Sequence, residues 1–257
     1  MNIGKPTLRF NLATACCFWL CFSAPGAFAE EPGPISTERP SFSASPLVLP
    51  AGYWQIETGY QFTRDTDGAS FKDHSLPNML LRFGFHEKLE LQLGGLNYKW
   101  QQTDEQKENG AQDANLGIKW QVNDRDSVVP VGIYGGFSLP VGSSEFSNDS
   151  YDPSLGVFWN HSSALDWFGA AVLKHSDELF TFDTAVGISF ALPSTDGTYV
   201  EYLLSFYEDE NEDPAHTLNL GVSWLLSNTL QFDINGGLGL NSRANDYYTG
   251  MGLSYRF

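Results

Sequence analysis

The chain has 257 residues, in which 31 acidic side chains against 14 basic ones give a formal net charge of −17. A balance this acidic excludes a typical nucleic-acid-binding surface, which is basic. Aromatic residues make up 14% of the chain, but after the first 30 residues no apolar run approaches the roughly 18 residues that a membrane-spanning helix needs.

Residues 1–29 are predicted to form a secretory signal peptide. Lys5 and Arg9 supply a basic start, and residues 12–22 form an apolar run that is too short to span a bilayer as a helix. Small residues at Ala27 and Ala29 predict cleavage before Glu30. The alternative is a retained anchor, which the shortness of the run disfavours.

All three cysteines, Cys16, Cys17 and Cys21, lie inside this segment. The predicted mature chain therefore contains no cysteine, which excludes a disulfide framework and thiol chemistry. A lipoprotein is disfavoured because the bulky residues 18–20 precede Cys21. Removing the two basic residues of the signal leaves 12 against 31 acidic ones, a net charge of about −19.

Residues 30–51 are predicted to be an extended leader without sheet structure, because five prolines interrupt them, Pro32, Pro34, Pro40, Pro46 and Pro50. This leader either hangs in the periplasm or enters the mouth of the barrel that follows. A helical pattern is missing from it, so an elaborate plug is not expected.

About twelve strand candidates follow from Gly52 onward, most of them alternating apolar and polar residues. In the third candidate the alternation changes parity at Gly94 and Gly95, which predicts a bulge. The seventh is apolar on both faces, and ten strands is the alternative if the sixth and seventh candidates merge or lie outside the sheet. The candidates span residues 53–63, 76–86, 89–100, 113–122, 129–139, 155–159, 167–174, 180–190, 199–206, 218–224, 230–238 and 247–257.

These candidates predict an all-β fold, a transmembrane antiparallel up-and-down β-barrel over residues 52–257 with both termini in the periplasm. Short and long connections alternate, as in barrels of the Gram-negative outer membrane. A secreted sandwich or jelly roll also alternates, but the aromatic residues lie near strand ends, as interfacial girdles require. The predicted location is therefore the outer membrane, with lipid and lipopolysaccharide as partners and a monomeric state.

The last strand, residues 247–257, alternates strictly and ends on an aromatic residue. Tyr255 and Phe257 are predicted to form an assembly signal that the barrel-assembly machinery recognises. The inward residues Gly250, Gly252 and Arg256 are expected to meet the first strand, at Gln55, Glu57 and Gly59, across the seam of the barrel.

The inward positions of the strands carry a polar set that is predicted to line the lumen. Either these ions pair and fill a narrow interior, or they form a constriction that selects solutes, and twelve strands allow both outcomes. The predicted lumen-lining residues are Glu57, Gln61, Arg82, Glu90, Gln92, Asn115, Lys119, Asp183, Glu201, Asp233 and Arg256.

No catalytic, cofactor or metal site is predicted, and the chain is not expected to be an enzyme. The histidines lack metal-ligand spacing. His161 and Ser162 are adjacent in a predicted turn, and adjacent residues seldom form a base and nucleophile pair, so the sequence does not indicate a barrel hydrolase. The acidic loop over residues 208–213 is interpreted as a solvated rim. The alternative is that divalent cations link this loop to the phosphates of lipopolysaccharide. Its predicted neighbours are Asp104, Glu105, Glu108, Asp177 and Glu178.

Residues 37–42 (TERPSF) and 49–60 (LPAGYWQIETGY) resemble the start of the barrels grouped as the MetA-pathway of phenol degradation family. Residues 80–84 (LLRFG) and 90–94 (ELQLG) resemble the second hairpin of that family. The resemblance implies an outer-membrane transporter-like protein, in some members linked with the catabolism of aromatic compounds. A more distant resemblance is to barrels that import hydrophobic compounds and carry an amino-terminal plug.

The sequence thus favours a passive channel or transporter for small solutes, with aromatic or hydrophobic compounds as the expected cargo and no cofactor. The alternative is a plugged structural or surface-interaction barrel, whose acidic extracellular loops act without transport.

Overall fold

The computed structural model describes residues 32–67, 70–162, 166–176, 179–208 and 213–257. The predicted signal peptide and its cleavage site lie outside the described residues, as do Asp177, Glu178 and residues 209–212 of the acidic loop. No helix within the described ranges is long and apolar enough to cross a membrane. The strands are β1 (Trp54–Asp65), β2 (Phe71–His86), β3 (Leu89–Thr103), β4 (Lys107–Ala111), β5 (Ala114–Gln121), β6 (Val131–Leu139), β7 (Pro153–His161), β8 (Asp166–Ser176), β9 (Leu179–Ser189), β10 (Gly197–Tyr207), β11 (Ala215–Ser227), β12 (Leu230–Gly239) and β13 (Tyr247–Arg256).

Twelve of these strands close into an antiparallel barrel. The hydrogen-bonded order runs β2-β1-β13-β12-β11-β10-β9-β8-β7-β6-β5-β3, and a pairing between β2 and β3 closes the ring. The predicted closed barrel is confirmed, and the alternatives of ten strands and of a two-sheet sandwich are wrong. Closure removes the unpaired edges that an open sheet would expose.

The remaining strand, β4, lies in the connection between the strand candidates 89–100 and 113–122, where no strand was predicted. It pairs with the upper part of β3, where Tyr98 lies opposite Ala111 and Gln102 opposite Lys107. The sequence KENGA carries no apolar alternation, so periodicity gives no signal for it. Its strand conformation comes from the hydrogen bonds of a longer β3.

The predicted bulge at the glycine pair of β3 is confirmed. Leu81 pairs with Leu93 and Met79 pairs with Leu96, so β3 has one extra residue at this point. Gly95 adopts a φ of 71°, which glycine tolerates without a steric penalty. The extra residue reverses the alternation of inward and outward side chains along β3, as the change of parity predicted.

The exterior is apolar, with aromatic side chains towards both ends. We call the end with the short connections 87–88 and 228–229 the turn end, and the opposite end, with residues 140–152, the loop end. Trp54 stacks on Phe83 at 4.3 Å near the turn end, and Tyr98 contacts Trp100 at 4.8 Å near the loop end. Exposed aliphatic side chains lie between these levels, among them Leu91, Ile118, Leu155, Val186, Leu220 and Ile234.

The two ends of the barrel sequence meet at the seam between β1 and β13. Gln55 pairs with Arg256 and Gly59 with Gly252, so the expected meeting of the first and last strands is confirmed. Trp54 and Phe257 exchange two backbone hydrogen bonds of 3.0 and 2.9 Å. The last residue therefore closes the ring at the turn end.

We predict that deleting Phe257 lowers the amount of assembled barrel, because the deletion removes both the two seam hydrogen bonds and the aromatic carboxy-terminus. The measurement is the level of heat-modifiable, folded protein in outer-membrane fractions of cells that express the deletion. Phe257→Tyr keeps an aromatic end and both hydrogen bonds, and it should assemble normally. Wild-type levels of the deletion would show that neither Phe257 nor its stacking on Tyr255 carries assembly information.

Candidate functional site

The interior of the barrel holds residues 33–51 of the leader. Its backbone amides hydrogen-bond to inward-facing side chains of β1, β3, β5 and β10. These strands lie on different sides of the ring. The leader therefore crosses the lumen instead of lying against one wall.

The leader doubles back on itself within the lumen. The hydroxyl groups of Ser36 and Ser45 are 3.0 Å apart and hydrogen-bonded. The guanidinium of Arg82, on β2, donates to the carbonyl oxygens of Ser36 at 3.0 Å and Leu47 at 3.3 Å. Arg82 thus binds both arms of the leader loop, the first arm over residues 33–41 and the second arm over residues 47–51.

Glu57, on β1, holds the first arm of the leader by its backbone. The amide N–H of Glu38 donates to both carboxylate oxygens of Glu57 at 3.0 Å, and that of Arg39 donates at 3.2 Å. The Arg39 side chain forms an ion pair of 3.3 Å with Asp233 on β12. A charged acceptor makes these amide hydrogen bonds stronger than neutral ones.

Two further glutamates of the wall bind the tip of the leader, residues 42–46, and its second arm in the same way. Glu201, on β10, accepts the amide N–H groups of Phe42 and Ser43, each at 2.9 Å. Glu90, on β3, accepts the amide N–H of Leu49 at 2.7 Å. Because these contacts use the leader backbone, they position the chain without depending on its side chains.

The wall and leader charges form one buried network around Arg82. Its guanidinium is 2.9 Å from Glu57, 2.9 Å from Glu90 and 3.0 Å from Glu38. Lys119, on β5, adds a second cation 2.5 Å from Glu38. Burial raises the pKa of the Glu38 carboxyl above its ordinary value, and the facing cations oppose that rise. Three carboxyl groups therefore share two cations.

Glycines on the inner wall make room for the leader. A Cβ at Gly132, on β6, would lie 2.6 Å from the Pro46 carbonyl oxygen, and a Cβ at Gly84, on β2, would overlap the Pro50 carbonyl group. On the outward face of β6, a Cβ at Gly135 would have nothing within 4 Å. The inward glycines thus mark the path of the leader along the wall.

The tip of the leader packs against an apolar sector of the wall. Phe158 on β7 is buried beside Ala170 and Val172 of β8, and Phe42 and Ala44 of the leader pack on this cluster. The sequence is apolar on both faces of β8 for this reason. One face points outward, and the other contacts the leader.

Two cavities lie on opposite sides of leader residues 42–46. The loop-side cavity has a volume of about 620 Å³, and the turn-side cavity one of about 370 Å³. Ala44 lines both. The loop-side cavity is bounded by Phe42, Gln92, Tyr134, Ser154, Phe158 and Lys174. The turn-side cavity is bounded by Ser43, Pro46, Asn160, Phe168, Thr198 and Ser223.

Residues 37–257 match the family model described as "Putative MetA-pathway of phenol degradation". The chain belongs to this family. The match begins at Thr37, the first residue of the leader motif on which the sequence resemblance was based, and the resemblance is confirmed. The family model thus matches most of the leader as well as the barrel.

Among the solved structures that are similar to this family member are an outer-membrane channel and a porin. An outer membrane channel from Pseudomonas putida F1 is 12% identical with a TM-score of 0.61, over 83% of this chain and 98% of that chain. The KdgM porin in complex with disordered oligogalacturonate is 12% identical with a TM-score of 0.51, over 79% and 99% of the two chains. At these identities the likeness shows the fold. No curated protein matches the chain.

The predicted lumen-lining residues all belong to the inner wall. Asn115 and Gln92 line the loop-side cavity, and Gln61 is half-buried on β1. Their part in solute passage stays a prediction. The buried members of the set are Glu57, Arg82, Glu90, Gln92, Lys119, Asp183, Glu201, Asp233 and Arg256.

Sequence reasoning missed the apolar part of the site. Phe158, Ala170 and Val172 are inward residues without a polar group, and they were not assigned to the lumen. The signal that indicates them is the loss of alternation in β8, where both faces are apolar. Leader residues Glu38 and Phe42 were noted only as part of the family motif.

We predict that Arg82→Gln destabilises the barrel by about 3 to 5 kcal/mol, because Glu57 and Glu90 then remain buried without their main cation. The measurement is the free energy of unfolding in urea, for protein refolded into lipid vesicles. Lys88→Gln is the control, since its 2.7 Å pair with Asp124 joins exposed side chains and should contribute little to stability. An Arg82 variant as stable as the Lys88 variant would contradict the buried network.

Proposed function

We propose that this chain is a passive outer-membrane channel for small solutes of aromatic or apolar character. The observation that carries the proposal is the pair of cavities along the apolar sector of β7 and β8, separated by the tip of the leader. A closed barrel with an apolar exterior supports a path that crosses a bilayer.

The outward belts support the location in a Gram-negative outer membrane. Aromatic side chains near both ends of the strands fit the two interfaces of a bilayer, and aliphatic ones between them fit its hydrocarbon layer. The short connections then face the periplasm, together with both ends of the barrel sequence. Lipid and lipopolysaccharide contact the exterior, and the barrel acts as a monomer.

The lining of the loop-side cavity supports the solute class. Phe42, Tyr134 and Phe158 offer aromatic surface, and Gln92 and Asn115 offer polar groups that orient a solute. A volume of about 620 Å³ accommodates a single small molecule. The family description, which refers to phenol degradation, points to the same class of cargo.

The alternative function is a plugged structural or surface-interaction barrel without transport, and the buried network favours it. Arg82, Glu57 and Glu90 are fully buried and bind the leader, so they fill the lumen at that level. Under this alternative the acidic loops outside the membrane would form the interaction surface of the protein.

Flux measurements on refolded protein in lipid vesicles separate the two functions. We predict that phenol enters vesicles that contain the wild-type barrel faster than protein-free vesicles, and that planar bilayers show small ion-conductance steps. Ser154→Trp fills the loop-side cavity and should slow both. Leu155→Trp places the same bulk on the outward face and should slow neither. Wild-type protein that is folded but passes neither phenol nor ions would contradict the channel and favour the plugged barrel.

A further inference from the structure

Phe42 occupies a niche that has the chemistry of a binding site for an aromatic ring. We infer that Phe158, Ala170, Val172 and Lys174 form a solute subsite, and that Phe42 of the leader fills this subsite until an aromatic solute displaces it. This inference rests on the proposed channel function and adds the subsite and its gating residue.

The niche combines an apolar floor with a cation over the ring. Phe158, Ala170 and Val172 are at most 8% exposed and pack against Phe42. The Lys174 ammonium lies 5.7 Å from the centroid of the Phe42 ring. A cation over the face of an aromatic ring is attracted by the ring quadrupole, and an aliphatic occupant has no such attraction. The niche therefore favours aromatic over aliphatic occupants.

The charge balance of the niche selects a neutral ring. Lys174 is already paired with Asp183 at 2.8 Å, so its charge is compensated. Glu201 lies beside the tip of the leader, where it accepts the Phe42 amide N–H. These two carboxylates would repel an anionic solute, whereas they would not repel a neutral ring such as phenol.

Phe42 is placed where a solute can replace it. Its side chain is only half-buried and lines the loop-side cavity, from which a solute would arrive. Glu201 holds the tip through the amides of Phe42 and Ser43. The two arms have their own anchors at Glu57 and Glu90. When the tip leaves the niche it gives up its two hydrogen bonds to Glu201, but Glu201 keeps one from the Asn219 side chain at 2.9 Å, and both arms stay bound.

Displacement of the tip would connect the two cavities. Residues 42–46 stand between them, and Ala44 lines both. Phe42 and Ala44 both pack on the apolar cluster, so a ring that displaces the tip from this cluster moves Ala44 as well as Phe42. Solute binding and opening are thus linked, because the solute and the leader compete for one surface.

The test measures the ion conductance of refolded protein in planar bilayers as phenol is added, with cyclohexanol as the non-aromatic molecule of matched size. We expect phenol to raise the wild-type conductance to a plateau, and cyclohexanol to have much less effect. Phe42→Ala should conduct several-fold more than wild type without phenol, and phenol should add little to it. Phe137→Ala, on the outward face of β6, should behave like wild type.

A second variant keeps the test decisive if Phe42→Ala folds poorly. Phe42→Leu retains apolar packing but loses the ring, so it should reach its plateau at a lower phenol concentration than wild type. The inference is overturned if the Phe42 variants match wild type in basal conductance and phenol response, or if cyclohexanol acts like phenol. If no variant passes phenol or ions, the proposed channel function fails as well. If all pass phenol equally, the channel stands and only the gating subsite fails.

Discussion

The structure of the lumen depends on carboxylates of the wall that bind the backbone of the leader. Glu57, Glu90 and Glu201 are fully buried, and each accepts at least one leader amide N–H. A buried carboxylate without hydrogen bonds or a cation is costly, and so is a buried amide without an acceptor. Each partner therefore needs the other, and barrel and leader form one folded unit.

Much of the barrel could be predicted from the sequence, because the signals for its strands lie within short stretches of the chain. A period of two residues predicts a strand, and the glycine pair of β3 predicts the bulge. Two other features were not predicted. The strand β4 has no alternation of apolar and polar residues, and its pairing with β3 determines it. A second bulge lies at Pro77 and Asn78 of β2, where Leu76 pairs with Tyr98 and Met79 with Leu96. Its local signal is the proline inside the strand, which has no N–H to donate to a neighbour.

The candidate site was predictable only in its polar wall residues. Alternation assigns Arg82 and Glu201 to the inward face, but it cannot show that their partners are carbonyl and amide groups of the leader. Every residue except proline has the same backbone groups, so the sequence contains no pattern for these contacts. The inward Gly132 has an explanation only once Pro46 is seen against it. The contacts between the leader and the wall therefore had to come from the structure.

The central claim is that the leader is held inside the barrel by its backbone amides. Hydrogen exchange of the Phe42, Ser43 and Leu49 amides in the refolded barrel tests it most directly. The account predicts that these amides exchange about as slowly as paired amides of the neighbouring strands. Exchange at the rate of an unstructured peptide, in protein whose strand amides are protected, would contradict it.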